Sequence, residues 1–201
     1  MRTLVCVVTG AAALTLGPRH DLVAQREVDP ETPSRSGLWV RAGLDFGVVQ
    51  VDSAHNGSGG GAHIAAGWTL SPRWTLGARA VINRSGSGAE ASHTLLVGPQ
   101  VAWYPFEQGT LAFRGGVSLL DLRDQGTWLG PDGSLYPREQ RYRGQLGHLA
   151  LTVHRPLDSG VVAQLGVEVG YAPFGRWRDT SPQPVTGHPW TAAFSVTFGV
   201  D

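Results

Sequence analysis

Residues 61–82, GAHIAAGWTLSPRWTLGARAVI, hold two apolar runs of period two on either side of a short break. Ala62, Ile64, Ala66, Trp68 and Leu70 alternate with Gly61, His63, Ala65, Gly67 and Thr69. Trp74, Leu76, Ala78, Ala80 and Ile82 alternate with Thr75, Gly77, Arg79 and Val81. Successive side chains of a strand point to opposite faces, so this period predicts β-structure and not helix. Each run is close to the roughly 9–11 residues that a tilted membrane-spanning strand requires. Ser71-Pro72-Arg73 joins the runs with a tryptophan on either side, which predicts a transmembrane hairpin.

The alternation recurs on both sides of this hairpin. In the first strand Leu38, Val40, Ala42, Leu44, Phe46 and Val48 form one face, and Trp39, Arg41, Gly43, Asp45 and Gly47 the other. HTLLVGPQVAWY, from His93, supplies the fourth strand, where Pro99 predicts a local bulge because proline has no ladder donor. The fifth covers 111–119, the sixth 144–154, the seventh 161–171 and the eighth 190–200. Connections after the second, fourth and sixth strands are short, whereas 51–60, 84–92, 121–143 and 172–189 are long and mostly rich in Gly, Pro, Ser or charge. Outer-membrane barrels alternate short periplasmic turns with long external loops. Trp68, Trp74, Trp103 and Phe198 at one end of the apolar face, with Tyr171 and Trp190 at the other, predict two aromatic girdles.

Composition narrows the class further. The 201 residues include 28 glycines, and only 16% are charged, against about a quarter in soluble domains. No run of about 18 apolar residues would make a helical span. A net charge of zero gives no ground for a nucleic-acid partner. There is no lysine, so arginine carries every cation besides histidine. Arg2, the apolar segment Leu4 to Leu16 and Ala24 predict a signal peptide over 1–24. Residues 25–36 then form a polar periplasmic leader and 37–201 the barrel. Cys6 is the sole cysteine and lies in the signal, so the mature chain forms no internal disulfide.

Parity alone does not say which face meets lipid. One set is apolar and aromatic; the other carries Arg41, Asp45, His63, Arg79, Gln100, Arg114, His148, Gln164 and Glu168 among many glycines. In a soluble barrel the apolar set would fill the interior. Eight strands leave little internal room, which suits glycine beside charge, and lipid demands a closed sheet with no unpaired backbone. The expectation is an all-β, eight-stranded antiparallel up-and-down transmembrane barrel with its apolar set outward.

From Gly37 to Asp201 this architecture resembles the small eight-stranded bacterial outer-membrane barrels of the OmpA and OmpX kind. The resemblance implies a bacterial outer-membrane location, contact with membrane lipid and lipopolysaccharide, and delivery by the barrel assembly machinery. Phe194, Val196 and Phe198 fit the alternating final strand such proteins use for assembly, and Gly199-Val200-Asp201 extends past it.

Two groups of residues are the functional candidates. Arg41, Asp45, Arg79, Arg114 and Glu168 predict a lumen ionic network, because buried charges require partners. A plugged lumen implies a structural or surface-interaction role; a constriction lined by arginines would instead make a small passive channel. Trp128, Tyr136, Arg138, Arg141 and Arg143, in a long external connection, suit lipopolysaccharide phosphate or a surface partner. A third reading, an enzyme acting on lipid A, needs a serine with a histidine and a carboxylate beside it. His148, His154, Ser118, Ser195 and Glu168 supply the types without a recognisable motif, so the chain is expected not to be an enzyme. The histidines lack compact ligand spacing, and no cofactor or metal is expected.

Overall fold

A computed structural model describes residues 37–50, 56–87, 90–106, 109–157, 161–179 and 187–200; the signal peptide and leader expected over 1–36 lie outside them. Eight strands follow in order: β1 Gly37–Gln50, β2 Asn56–Ser71, β3 Trp74–Ser87, β4 Glu90–Trp103, β5 Leu111–Leu129, β6 Leu135–Pro156, β7 Val161–Asp179 and β8 Trp190–Val200. Each pairs antiparallel with its chain neighbours, and β8 returns to β1 to close the barrel. Closure leaves no sheet edge along the paired region.

The inside and outside follow the sequence parity. On β1, Leu38, Val40, Leu44 and Phe46 are exposed while Trp39, Arg41 and Asp45 are buried. On β7, Leu165, Val167, Val169 and Tyr171 are exposed and Gln164 is buried. The apolar set therefore covers the outer wall. At the end where β1 begins, Trp74 and Trp103 stand 6.4 Å apart and Trp103 stacks on Phe113 at 5.7 Å. Trp68 and Phe198 are exposed at the same end, and Tyr171 and Trp190 pair toward the other.

Two expectations are corrected. Strand extends into the segments 84–92, 121–143 and 172–189: β3 runs to Ser87, β5 to Leu129 and β7 to Asp179. Likewise, β2 begins at Asn56, within the connection expected over 51–60. Polar residues and glycines there are those of strands that continue pairing beyond the apolar band. The β5–β6 connection shrinks to a turn, in which the Gly130 amide donates to the Ser134 carbonyl at 2.8 Å. Gly133 has φ +78°, a conformation that favours glycine.

Pro99 makes no bulge either. Val97 pairs with Leu119 and Gln100 with Gly116 in one unbroken register, so the β4–β5 ladder lapses over Gly98 and Pro99 without an added residue. Besides the irregularity between Thr69 and Ser71 at the β2–β3 turn, a register shift falls in β6–β7, where Gln145 pairs with Phe174 and Gly147 with Tyr171, leaving Ala172 and Pro173 opposite Leu146. Proline is tolerated at such a site because the extra residue owes no ladder bond.

Glycine also makes room for the largest interior side chain. A Cβ at Gly77 would lie 2.6 Å from the Trp39 indole and against the Ala66 carbonyl oxygen. Gly77→Val is expected to cost about 1–3 kcal/mol by overpacking, seen as a lower urea midpoint of the folded barrel.

Candidate functional site

The lumen is filled in three layers. Nearest the start of β1, Arg41 lies over the Trp39 ring at 4.6 Å and donates to the Tyr104 hydroxyl at 3.4 Å. With its amide oriented toward these donors, Gln164 accepts from Arg41 Nε at 2.9 Å. Tyr104 meets His154 edge-on at 5.3 Å, and Thr152 bonds the His154 ring at 2.9 Å.

The middle layer is ionic. Arg79 donates to both oxygens of Asp45, at 3.1 and 3.3 Å, and to Glu168 Oε2. Asp45 lies 2.9 Å from His63 Nδ1, whose Nε2 lies 3.0 Å from Thr197 Oγ1. One guanidinium from β3 thus bridges carboxylates of β1 and β7 across the lumen. Of the five residues expected to form a network, Asp45, Arg79 and Glu168 come together. Arg41 contacts the Trp39 ring, the Tyr104 hydroxyl and Gln164. Arg114, 5% exposed, lies near Gly166 and makes no ion pair among the described residues. Arg79 is the cation of this bridge, and Arg114 stands outside it.

Above the ions sits an apolar cluster of Val81, Leu96, Leu120, Leu122, Tyr142, Leu146 and Ala172, with Val49 and Trp177 against it. Tyr142 donates to the Ala172 carbonyl at 2.7 Å and packs on Trp177 at 5.1 Å. The space between the ionic and apolar layers, lined by Asp45, Arg79, Glu168 and Leu96, is about 20 Å³, room for about one water.

Asp45, His63 and Thr197 are linked in the order of an acid, a base and a hydroxyl nucleophile. Thr197 is 1% exposed and pairs with Gly43 and Gln164 in the flanking ladders. His148 is buried in the lumen, as are Ser118 and Ser195. Among the described residues no three of His, Cys, Asp and Glu gather where a metal could sit.

The residues expected in an external loop lie on strands and split between faces. Trp128 and Tyr136 pair near the hairpin tip, where the Tyr136 hydroxyl donates to Asp132 at 2.7 Å. Arg138 bonds Asp124 at 3.2 Å and is mostly covered. Arg141 and Arg143 stand on the outer wall. Arg141 grips Asp121 through Nε at 2.7 Å and through its second guanidinium nitrogen, and Arg143 Nε lies 3.5 Å from the same carboxylate. The Arg141 hydrogen bond, with Arg143 and Arg123 alongside, holds Asp121 below the usual carboxylate range.

Register reveals neighbours that sequence reading missed. Across β4 to β7, one rung is Val97, Leu119, Gln145 and Phe174; the next is Leu95, Asp121, Arg143 and Arg176; the third is His93, Arg123, Arg141 and Arg178. Arg176 and Arg178 were hidden because strand β7 seemed to end at Tyr171. Their spacing of two was a signal, but at even positions, and only the Ala172-Pro173 bulge brings them to the face that Leu165 to Tyr171 hold at odd ones.

No family model matches this chain, and no curated protein matches it. Among solved structures it is similar to the Neisserial surface protein A, with TM-score 0.57 and 13% identity over 82% of this chain and 97% of that one. It is also similar to Ail, the attachment invasion locus protein of Yersinia pestis, with TM-score 0.55 and 11% identity over 82% and 99%. Strand order, closure and these likenesses agree: the chain has the fold of the small eight-stranded bacterial outer-membrane β-barrels, the OmpA and OmpX architecture.

Proposed function

We propose that the protein is a sealed barrel of the bacterial outer membrane with a structural or surface-interaction role, and that it is neither a channel nor an enzyme. The observation that carries this reading is the filled lumen: an ion bridge from Asp45 through Arg79 to Glu168 lies beneath an apolar layer, with about 20 Å³ between them. A hydrated ion needs a continuous aqueous path, which these layers oppose. The exposed wall of Leu, Val, Ile and Phe supports placement in hydrocarbon, with membrane lipid and lipopolysaccharide as its surroundings.

The surface role belongs to the β5–β6 ribbon. Among the described residues it outruns its neighbours, since β4 pairs with it to Gln125 and β7 from Gln140. Its tip exposes Leu129, Leu135 and Tyr136, apolar groups that suit a surface partner. Reconstituted in planar bilayers, the chain is expected to give no sustained single-channel openings. Regular openings would replace the sealed barrel with the small passive channel.

A further inference from the structure

We infer that the outer wall of β4 to β7 binds a phosphorylated outer-leaflet lipid, with Arg143, Arg176 and Arg178 on a lipid A phosphate and an acyl chain in the groove beneath. This rests on the outer-membrane reading and names a ligand for one patch of that wall. The groove holds about 640 Å³ and is bounded by Leu95, Val97, Leu119, Gln145, Arg143 and Phe174. Its walls continue the apolar band. Phe174, 72% exposed, follows directly on the Ala172-Pro173 bulge and forms one side; re-aiming a side chain is a common consequence of a bulge.

Charge decides what sits above it. Five guanidiniums, from Arg123, Arg141, Arg143, Arg176 and Arg178, occupy two adjacent rungs on the outer face. Within these rungs the described residues offer one carboxylate, Asp121, with Glu139 one rung further out. The side chains of Arg123 and Arg143 are 52% and 56% exposed. A surplus of planar cations bordering a greasy groove matches a ligand that joins phosphate to hydrocarbon, since guanidinium binds phosphate bidentately. A lipid with a neutral or singly charged headgroup would leave most of that surplus unanswered.

Native mass spectrometry of the folded full chain in detergent tests this with three probes: bisphosphoryl lipid A, monophosphoryl lipid A and phosphatidylglycerol. Bisphosphoryl lipid A is expected to bind most tightly. Combined Arg143→Ala, Arg176→Ala and Arg178→Ala should weaken it on the order of a hundredfold, and Phe174→Ser should weaken it with the arginines intact. Heat-modifiable gel mobility establishes folding, and the three-lipid comparison on the unaltered chain needs no variant. Equal binding of all three lipids, or undiminished binding by the folded triple variant, removes the site alone. Undiminished binding by Phe174→Ser leaves an anion site without the groove and overturns the lipid assignment. A chain that stays dissolved without detergent removes the membrane reading and this site together.

Discussion

Arg79→Ala is expected to destabilise the folded barrel by about 3–5 kcal/mol, the range seen when one partner is removed from a buried ion pair. The side chains of Arg79, Asp45 and Glu168 are 5%, 1% and 10% exposed. Truncating Arg79 leaves two carboxylates inside with only His63 beside Asp45. The loss comes from stranded charge and not from the net strength of the bridge. Adding Asp45→Asn and Glu168→Gln to Arg79→Leu should therefore restore most of the stability, because a neutral, well-packed replacement of a buried ionic group is often tolerated. Urea titrations of the refolded barrel in detergent measure both variants. Arg79→Ala with an unchanged midpoint would mean that water reaches these groups, which would revive the open channel.

The second large effect concerns the outer wall. Leu149, in mid-strand on β6, is 69% exposed, and its pairing partners Gly115 and Val169 are both on the outward face. In a barrel dissolved in water, Leu149→Arg at such a position would change stability by no more than about 0.5 kcal/mol. In hydrocarbon, arginine on the lipid face near the bilayer midplane costs about 2–4 kcal/mol. We expect the larger loss in liposomes, with Arg178→Ala, beyond the apolar band, nearly neutral in the same assay. The contrast between the two positions guards against a general effect of altering the surface.

Most of the fold was legible because the barrel wall obeys one rule at every position. Period-two alternation located all eight strands and assigned Ile64, Leu149 and Val167 outward and Asp45, His63 and Gln164 inward. Strand ends were not legible, because alternation fades where both faces meet water. Asp121, Arg123 and Arg178 resemble loop residues, although they stand in paired strands. The apolar upper layer was missed for the same reason: Leu120, Leu122, Tyr142 and Leu146 lie where inner and outer residues are alike, or beyond the expected end of β5. Pairing between distant segments was also invisible. Parity placed Arg79, Arg114 and Arg41 inside, but only register and depth decide that Arg79 reaches Asp45 and Glu168 while Arg114 does not. The rungs joining Arg143 to Arg176 likewise depend on the β6–β7 shift at Gln145 and Gly147, which no local pattern announces.

The most direct test is collision accessibility of a nitroxide carried at successive positions from Gly147 to Val153 in liposomes, each on a chain in which Cys6, the sole native cysteine, is replaced. Labels at 147, 149, 151 and 153 are expected to meet apolar oxygen freely and a water-soluble nickel complex hardly at all. Labels at 148, 150 and 152 should meet neither, because the lumen is packed. Odd positions reached by the nickel complex as readily as by oxygen would contradict a wall facing hydrocarbon. Even positions reached by nickel would contradict the sealed interior.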